Sequence, residues 1–195
     1  MRRSTISMLA ALLALSTALA GQSGQRGGRG GRGAWMFGFA GTLGGGWQLE
    51  AADVGYARVV RAGPLRVASL TARFGSFIDE GAIVGGARGF LAGLTLAGRT
   101  EPVRLADLGT ETSTAEVGAD LAIEATGYLG ANSPLPQGPS WGGVTVLPGL
   151  WFGDPQGFRL GLLFGPTVFF GRSGDVRAFL GLRFEAPLAR RERQP

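Results

Sequence analysis

Apolar and polar residues alternate in short segments along most of the chain. The clearest segment is 114–129, where Leu121 and Ile123 stand on one parity and Asp120 and Glu124 on the other. Successive side chains of a β-strand point to opposite faces, so this segment is predicted to be a strand with one apolar and one acidic face. Glycine recurs too often for long helices, because it weakens a helix interior.

Seven further segments alternate, with the weakest alternation in 48–61, and are separated by the Gly, Pro, Asp and Asn residues typical of turns. They cover residues 35–43, 48–61, 65–78, 88–98, 141–152, 158–170 and 176–184. The eight segments predict an all-β fold, a single antiparallel up-and-down β-barrel of eight strands. The connection 99–113 is longer than its position requires. Either the strands on both sides of this connection are longer than predicted, or residues 101–109 form an extra strand. The second option makes a barrel of ten strands the alternative to the barrel of eight.

Alternation alone does not say which parity faces inward. The less apolar parity is rich in Gly, Ser and Thr and carries charges of both signs in mid-strand, which suits the lumen of a transmembrane barrel. Aromatic residues near strand ends are predicted to lie at the membrane interfaces. These are Trp35, Trp47, Tyr128, Trp141, Trp151 and Phe170. A secreted soluble barrel that binds an apolar ligand is the alternative, and it requires Leu121, Ile123, Leu160 and Leu162 to point inward.

The lumen of an eight-stranded barrel is narrow enough to be filled by side chains. The charged residues predicted to point into it and to form structural Arg–carboxylate pairs are Arg73, Glu116, Asp120, Glu124, Arg159, Arg177, Arg183 and Glu185. A lumen filled by such pairs predicts a structural role. A narrow channel for small solutes is the alternative interpretation.

The last predicted strand of the barrel domain, residues 34–188, alternates apolar residues up to an aromatic one, namely Val176, Ala178, Leu180, Leu182 and Phe184. With the strand number, the alternation and the alternating loop lengths, this strand makes residues 34–185 resemble the small outer-membrane β-barrels, such as the OmpA transmembrane domain and the OmpX- and OmpW-like barrels. In that family the last strand ends in an aromatic residue. The resemblance implies outer-membrane lipid and the barrel-assembly machinery as partners. Phe184 departs from the pattern, because eleven residues follow it.

Both ends of the chain differ from the predicted barrel. Residues 1–20 combine Arg2 and Arg3, a short apolar run and a small-residue end, which is typical of a secretory signal peptide. Residues 21–33 form a Gly/Arg-rich linker that is predicted to be disordered, and residues 189–195 form a basic tail. Export through this signal predicts a location in the outer membrane.

The formal charge of +5 comes from these end segments. Residues 34–188 hold 11 arginines and 13 acidic residues, a net charge of −2. The basic composition therefore gives no reason to expect nucleic acid as a partner, and it identifies no ligand.

The sequence contains no His and no Cys. These absences exclude a Ser-His-Asp triad, thiolate or histidine metal sites and disulfides. Glu116 and Asp120 lie four residues apart on one strand, about 13 Å, which is too far to act on one bond. We therefore predict no catalytic, metal or cofactor-binding residues, and a non-enzymatic envelope protein with a structural or surface-interaction role.

Overall fold

The structure is a computed structural model, and it describes residues 33–44, 46–62, 64–79, 87–110, 114–130, 139–154 and 157–187. The predicted signal peptide, most of the predicted linker and the basic tail lie outside the described residues. Nine strands are present in this part of the chain. They are β1 Gly33–Leu43, β2 Trp47–Ala62, β3 Leu65–Asp79, β4 Ala87–Arg99, β5 Val103–Asp107, β6 Glu116–Gly130, β7 Ser140–Gly153, β8 Arg159–Phe170 and β9 Asp175–Pro187.

Eight of these strands close into an antiparallel up-and-down barrel, which confirms the predicted fold class. Consecutive strands pair from β1 to β4 and from β6 to β9, β1 pairs with β9, and β4 pairs with β6 to complete the ring. Gly33 and Pro187 lie at one end, here called the terminus end. The opposite end, here called the loop end, carries the β1–β2, β3–β4, β6–β7 and β8–β9 connections.

The strand register fixes the tilt of the barrel wall. Followed around the ring from Gly33, the register returns to β1 at Leu43, ten residues further along. A stagger of this kind requires tilted strands, about 35–45° in barrels generally, and eight strands leave an interior that side chains can fill.

The ninth strand, β5, corresponds to the predicted extra strand within residues 101–109. It pairs with β6 alone, through Val103 with Ala119 and Asp107 with Glu116, on the edge of β6 that β4 also uses. β5 therefore continues β4 beyond the terminus end and does not enlarge the ring. The barrel has eight strands and not ten.

Side-chain orientation follows the predicted parity. Leu121, Ile123 and Leu162 are exposed on the outer wall, and Leu160 is half-buried on the same parity. Other large apolar side chains exposed on this wall include Phe37, Phe39, Phe74, Leu94, Phe164, Val168 and Leu180. The buried charged and hydroxyl side chains are Thr42, Asp53, Thr71, Arg73, Thr95, Arg99, Asp120, Glu124, Thr126, Thr145, Thr167, Arg177, Arg183 and Glu185. The barrel is thus polar inside and apolar outside.

Candidate functional site

A network of buried ion pairs occupies the middle of the lumen. Arg73 of β3 makes a two-pronged contact with Asp53 of β2, from Nε to Oδ1 at 2.7 Å and from Nη2 to Oδ2 at 2.8 Å. Arg183 of β9 donates from Nη2 to Glu124 Oε1 at 2.6 Å, and Arg73 Nη2 lies 3.4 Å from Glu124 Oε2. Two guanidinium and two carboxylate groups from four strands thereby neutralise one another across the lumen, as buried charges require.

A second ionic cluster lies nearer the terminus end. Arg99 and Arg159 each donate from Nη2 to Glu185 Oε2 at 2.8 Å, and Arg99 Nη1 lies 3.6 Å from Asp120 Oδ2. The Arg99 guanidinium also stands 4.5 Å above the Trp151 ring centroid, a favourable contact between a cation and an aromatic face. The two clusters together are called the ionic half of the lumen.

Aromatic packing replaces ion pairs near the loop end. The rings of Tyr128 and Trp141 stack with centroids 5.1 Å apart, and Phe77 and Trp47 meet edge to face at 5.6 Å. This cluster, called the aromatic half, consists of Trp47, Leu49, Ala51, Phe77, Leu91, Tyr128, Trp141 and Phe169. Tyr128 joins the two halves, because its hydroxyl accepts a hydrogen bond from Arg73 Nη1 at 2.9 Å.

Two of the predicted lumen charges lie outside the ionic half. Arg177 is at the loop end, where it stands 4.3 Å above the Trp47 ring and donates to Asp175 and to the Trp47 carbonyl. Glu116 lies at the rim of the terminus end, where it pairs with Arg104 of β5 and remains partly exposed. The other six, Arg73, Asp120, Glu124, Arg159, Arg183 and Glu185, all belong to the ionic half.

The structure corrects the assignment of most aromatic residues to the membrane interfaces. Trp35 and Phe170 are exposed on the outer wall. Four others point into the lumen and are at most 8% exposed, namely Trp47, Tyr128, Trp141 and Trp151. Their parity explains this difference, because Trp141 and Trp151 alternate with the outward residues Val144 and Val146 and so share the inward face with Thr145. Position near a strand end was the misleading criterion.

Asp53 and Arg99 were not predicted as lumen residues. Asp53 lies in the segment with the weakest alternation, yet it stands between Ala52 and Val54 on the parity of the buried Leu49. Arg99 is the last residue of β4, one position beyond the predicted strand. Both residues could have been assigned to the lumen, because each is a charged residue on the inward parity of its strand.

The packed lumen leaves little empty space at its centre. A cavity beside Met36, Ala97, Arg99 and Arg183 measures about 10 Å³, close to the space of a single water molecule. Glycine makes room for the bulky groups, since a Cβ atom at Gly161 would lie 2.7 Å from the Trp151 ring. A larger cavity of about 530 Å³ opens at the terminus end and is lined in part by Arg99, Arg159 and Glu185.

Within the described part of the chain, no group of three or more acidic residues is placed to hold a metal ion. No helix among the described residues is long and apolar enough to cross a membrane. No protein-family model, curated protein or solved structure matches this chain.

Proposed function

We propose that this chain is a lipid-embedded β-barrel of the outer membrane with a non-enzymatic structural or surface-interaction role. The observation that carries the proposal is the inverted distribution of side chains. Large apolar residues such as Phe39 and Phe74 are exposed on the outer wall, while Arg73 and Glu124 are buried inside. In water this wall is unfavourable, whereas in a bilayer it meets hydrocarbon and the closed ring leaves no edge of the barrel wall unpaired.

The height of the apolar wall supports the same proposal. On β8 the outward residues run from Leu160 to Phe170, ten residue steps. About 3.3 Å per residue and a tilt of about 40° give a height of about 25 Å, the height of the apolar band of outer-membrane barrels.

The filled lumen favours a structural role over the channel interpretation. Passage through the barrel would require separation of the Arg73–Asp53 and Arg183–Glu124 pairs, and then displacement of the rings of Trp141 and Phe77. Each of these groups is at most 7% exposed. A surface role would rest on the loop end and on the β5–β6 hairpin, which extends beyond the wall at the terminus end.

The non-enzymatic part of the proposal rests on the side chains that the sequence offers. The sequence has no His or Cys, the carboxylates of the ionic half lie beside guanidinium groups, and the Tyr128 hydroxyl is hydrogen-bonded to Arg73. Export belongs to the same proposal and follows from the signal-peptide pattern of residues 1–20. Insertion by the barrel-assembly machinery is also part of it and follows from the resemblance of the strand Val176–Phe184.

Expression of the full-length sequence in a Gram-negative bacterium tests this proposal. The protein should be recovered from the outer-membrane fraction only with detergent, and the unboiled sample should migrate differently from the boiled sample on a denaturing gel. Recovery in the soluble fraction without detergent, with identical mobility in both samples, would instead support the soluble ligand-binding barrel. Planar-bilayer recordings should show no steady conductance, and a stable open level would support the channel.

A further inference from the structure

Two arginines of the barrel wall, Arg58 and Arg66, are not used by the ion pairs described above. Both are exposed, and neither has an ion pair with another residue that the structure describes. Arg58 lies near the terminus end of β2 and Arg66 is the second residue of β3. Unpaired guanidinium groups at a barrel rim are free to bind an anion.

The strand register brings these two arginines together. Arg58 pairs with Ala68 of β3, so Arg66 lies two positions away on the neighbouring strand. Diagonal neighbours of this kind have Cα atoms about 7–8 Å apart, within reach of long side chains. Both residues stand on the outward parity of their strands, Arg58 with Tyr56 on β2 and Arg66 with Ala68 on β3.

The position of Arg58 relative to the apolar wall indicates what it would bind. On β2 the outward residues Val54 and Tyr56 lead directly to Arg58, and the Tyr56 ring meets the exposed Trp35 ring edge to face at 5.9 Å. An apolar wall, then an aromatic pair and then a guanidinium group is the order of hydrocarbon, interface and headgroup across one leaflet of a bilayer.

Among the described residues of the terminus end, unpaired cationic charge lies on one side of the barrel. The outward residues near the terminus end of β6 to β9 are apolar, namely Val117, Ala119, Leu150, Phe152, Leu160 and Phe184. The described strands therefore carry an exposed, unpaired cationic pair on the β2–β3 side alone. A uniform ring of cationic residues would attract anionic lipids all around the barrel. A pair of arginines on one side instead favours one bound lipid at that place.

We infer that Arg58 and Arg66, with Trp35 and Tyr56, form a binding site for the headgroup of an anionic phospholipid in the leaflet at the terminus end. The two guanidinium groups bind the phosphate, and the aromatic pair contacts the upper acyl chains. This inference rests on the proposed membrane location and goes beyond it by naming one lipid class and one place on the wall.

Native mass spectrometry of the detergent-purified, full-length protein tests the inference. The protein is incubated with equal amounts of phosphatidylglycerol and phosphatidylcholine, and the bound lipids are counted. The wild type should retain phosphatidylglycerol preferentially, and each arginine should contribute about fivefold to this preference. The double variant Arg58→Gln/Arg66→Gln should therefore lose it. Arg172→Gln is the control, because Arg172 is an exposed arginine in a turn at the loop end.

Different outcomes separate this inference from the proposed function. A double variant that keeps both the heat-dependent gel mobility and the phosphatidylglycerol preference would overturn the inference alone. So would an equal loss of preference in Arg172→Gln, or displacement of the lipid by millimolar inorganic phosphate, which would mark a site for free anions. Failure of the wild type to enter any membrane would overturn the proposed function as well.

Discussion

The two halves of the lumen fill the same barrel by different chemistry. In the ionic half, Arg73, Glu124 and Arg183 are held by directed contacts between opposite charges. In the aromatic half, Trp141 and Phe77 are held by ring packing without charge. Buried ion pairs depend on every partner, because loss of one leaves an uncompensated charge, whereas apolar packing tolerates exchanges that conserve volume. The halves should therefore respond very differently to small substitutions.

Glu124→Gln should have the largest effect. The change conserves shape but removes the carboxylate that Arg183 and Arg73 share, and both guanidinium groups then remain buried with one fewer negative charge. Loss of one partner of a buried ion pair costs about 3–5 kcal/mol. The free energy of unfolding is measured by urea-induced unfolding in lipid vesicles, with tryptophan fluorescence as the signal. Glu101→Gln is the matched control, because Glu101 is exposed in the connection between β4 and β5, outside the apolar wall, and it should leave the unfolding midpoint unchanged.

Tyr128→Phe tests the contact between the two halves and should have an intermediate effect. The variant keeps the ring that stacks on Trp141 but removes the oxygen that accepts a hydrogen bond from Arg73 Nη1. Hydrogen bonds to charged groups contribute about 1.5–3 kcal/mol, and the same unfolding measurement should show a loss of this size. A loss of unfolding free energy below about 0.5 kcal/mol, less than the usual contribution of a hydrogen bond, would mean that the two halves are energetically independent.

Leu49→Met should have the smallest effect of the three. Leu49 is fully buried in the aromatic half, and methionine has nearly the same volume with a more adaptable side chain. Exchanges of this kind usually cost less than about 1.5 kcal/mol. A cost equal to that of Glu124→Gln would remove the distinction between the two halves.

The architecture was predictable because the period of two persists through every strand. Segment 114–129 coincides with β6, Glu116–Gly130, to within two residues, and the inward carboxylates follow from its parity alone. The exact end of β4 was not predictable, since Arg99 stands next to a connection in which β5 resumes the pairing with β6 after three residues. That continuation depends on backbone contacts with β6, and a single segment read in isolation does not contain them.

The ion-pair partners were only partly predictable for a similar reason. Parity shows that Arg73 and Glu124 face the lumen, but the choice of Asp53 as the two-pronged partner of Arg73 depends on their direct pairing across β2 and β3. The inward tryptophans illustrate the opposite case. Parity alone would have assigned Trp141 and Trp151 to the lumen. They were assigned to the membrane interface because they lie near strand ends.

The most direct test of the lipid-embedded barrel is the reactivity of single cysteines introduced on its outer wall. Because the chain has no cysteine, the single variants Leu121→Cys, Ile123→Cys and Arg172→Cys each carry one thiol. Leu121 and Ile123 are 42% and 43% exposed, so in water their thiols would be free to react with a charged, membrane-impermeant maleimide. In lipid vesicles we expect Arg172→Cys to be labelled, and Leu121→Cys and Ile123→Cys to be labelled only after the folded protein is unfolded. Rapid labelling of the folded Leu121→Cys and Ile123→Cys variants in vesicles would contradict the lipid-embedded barrel.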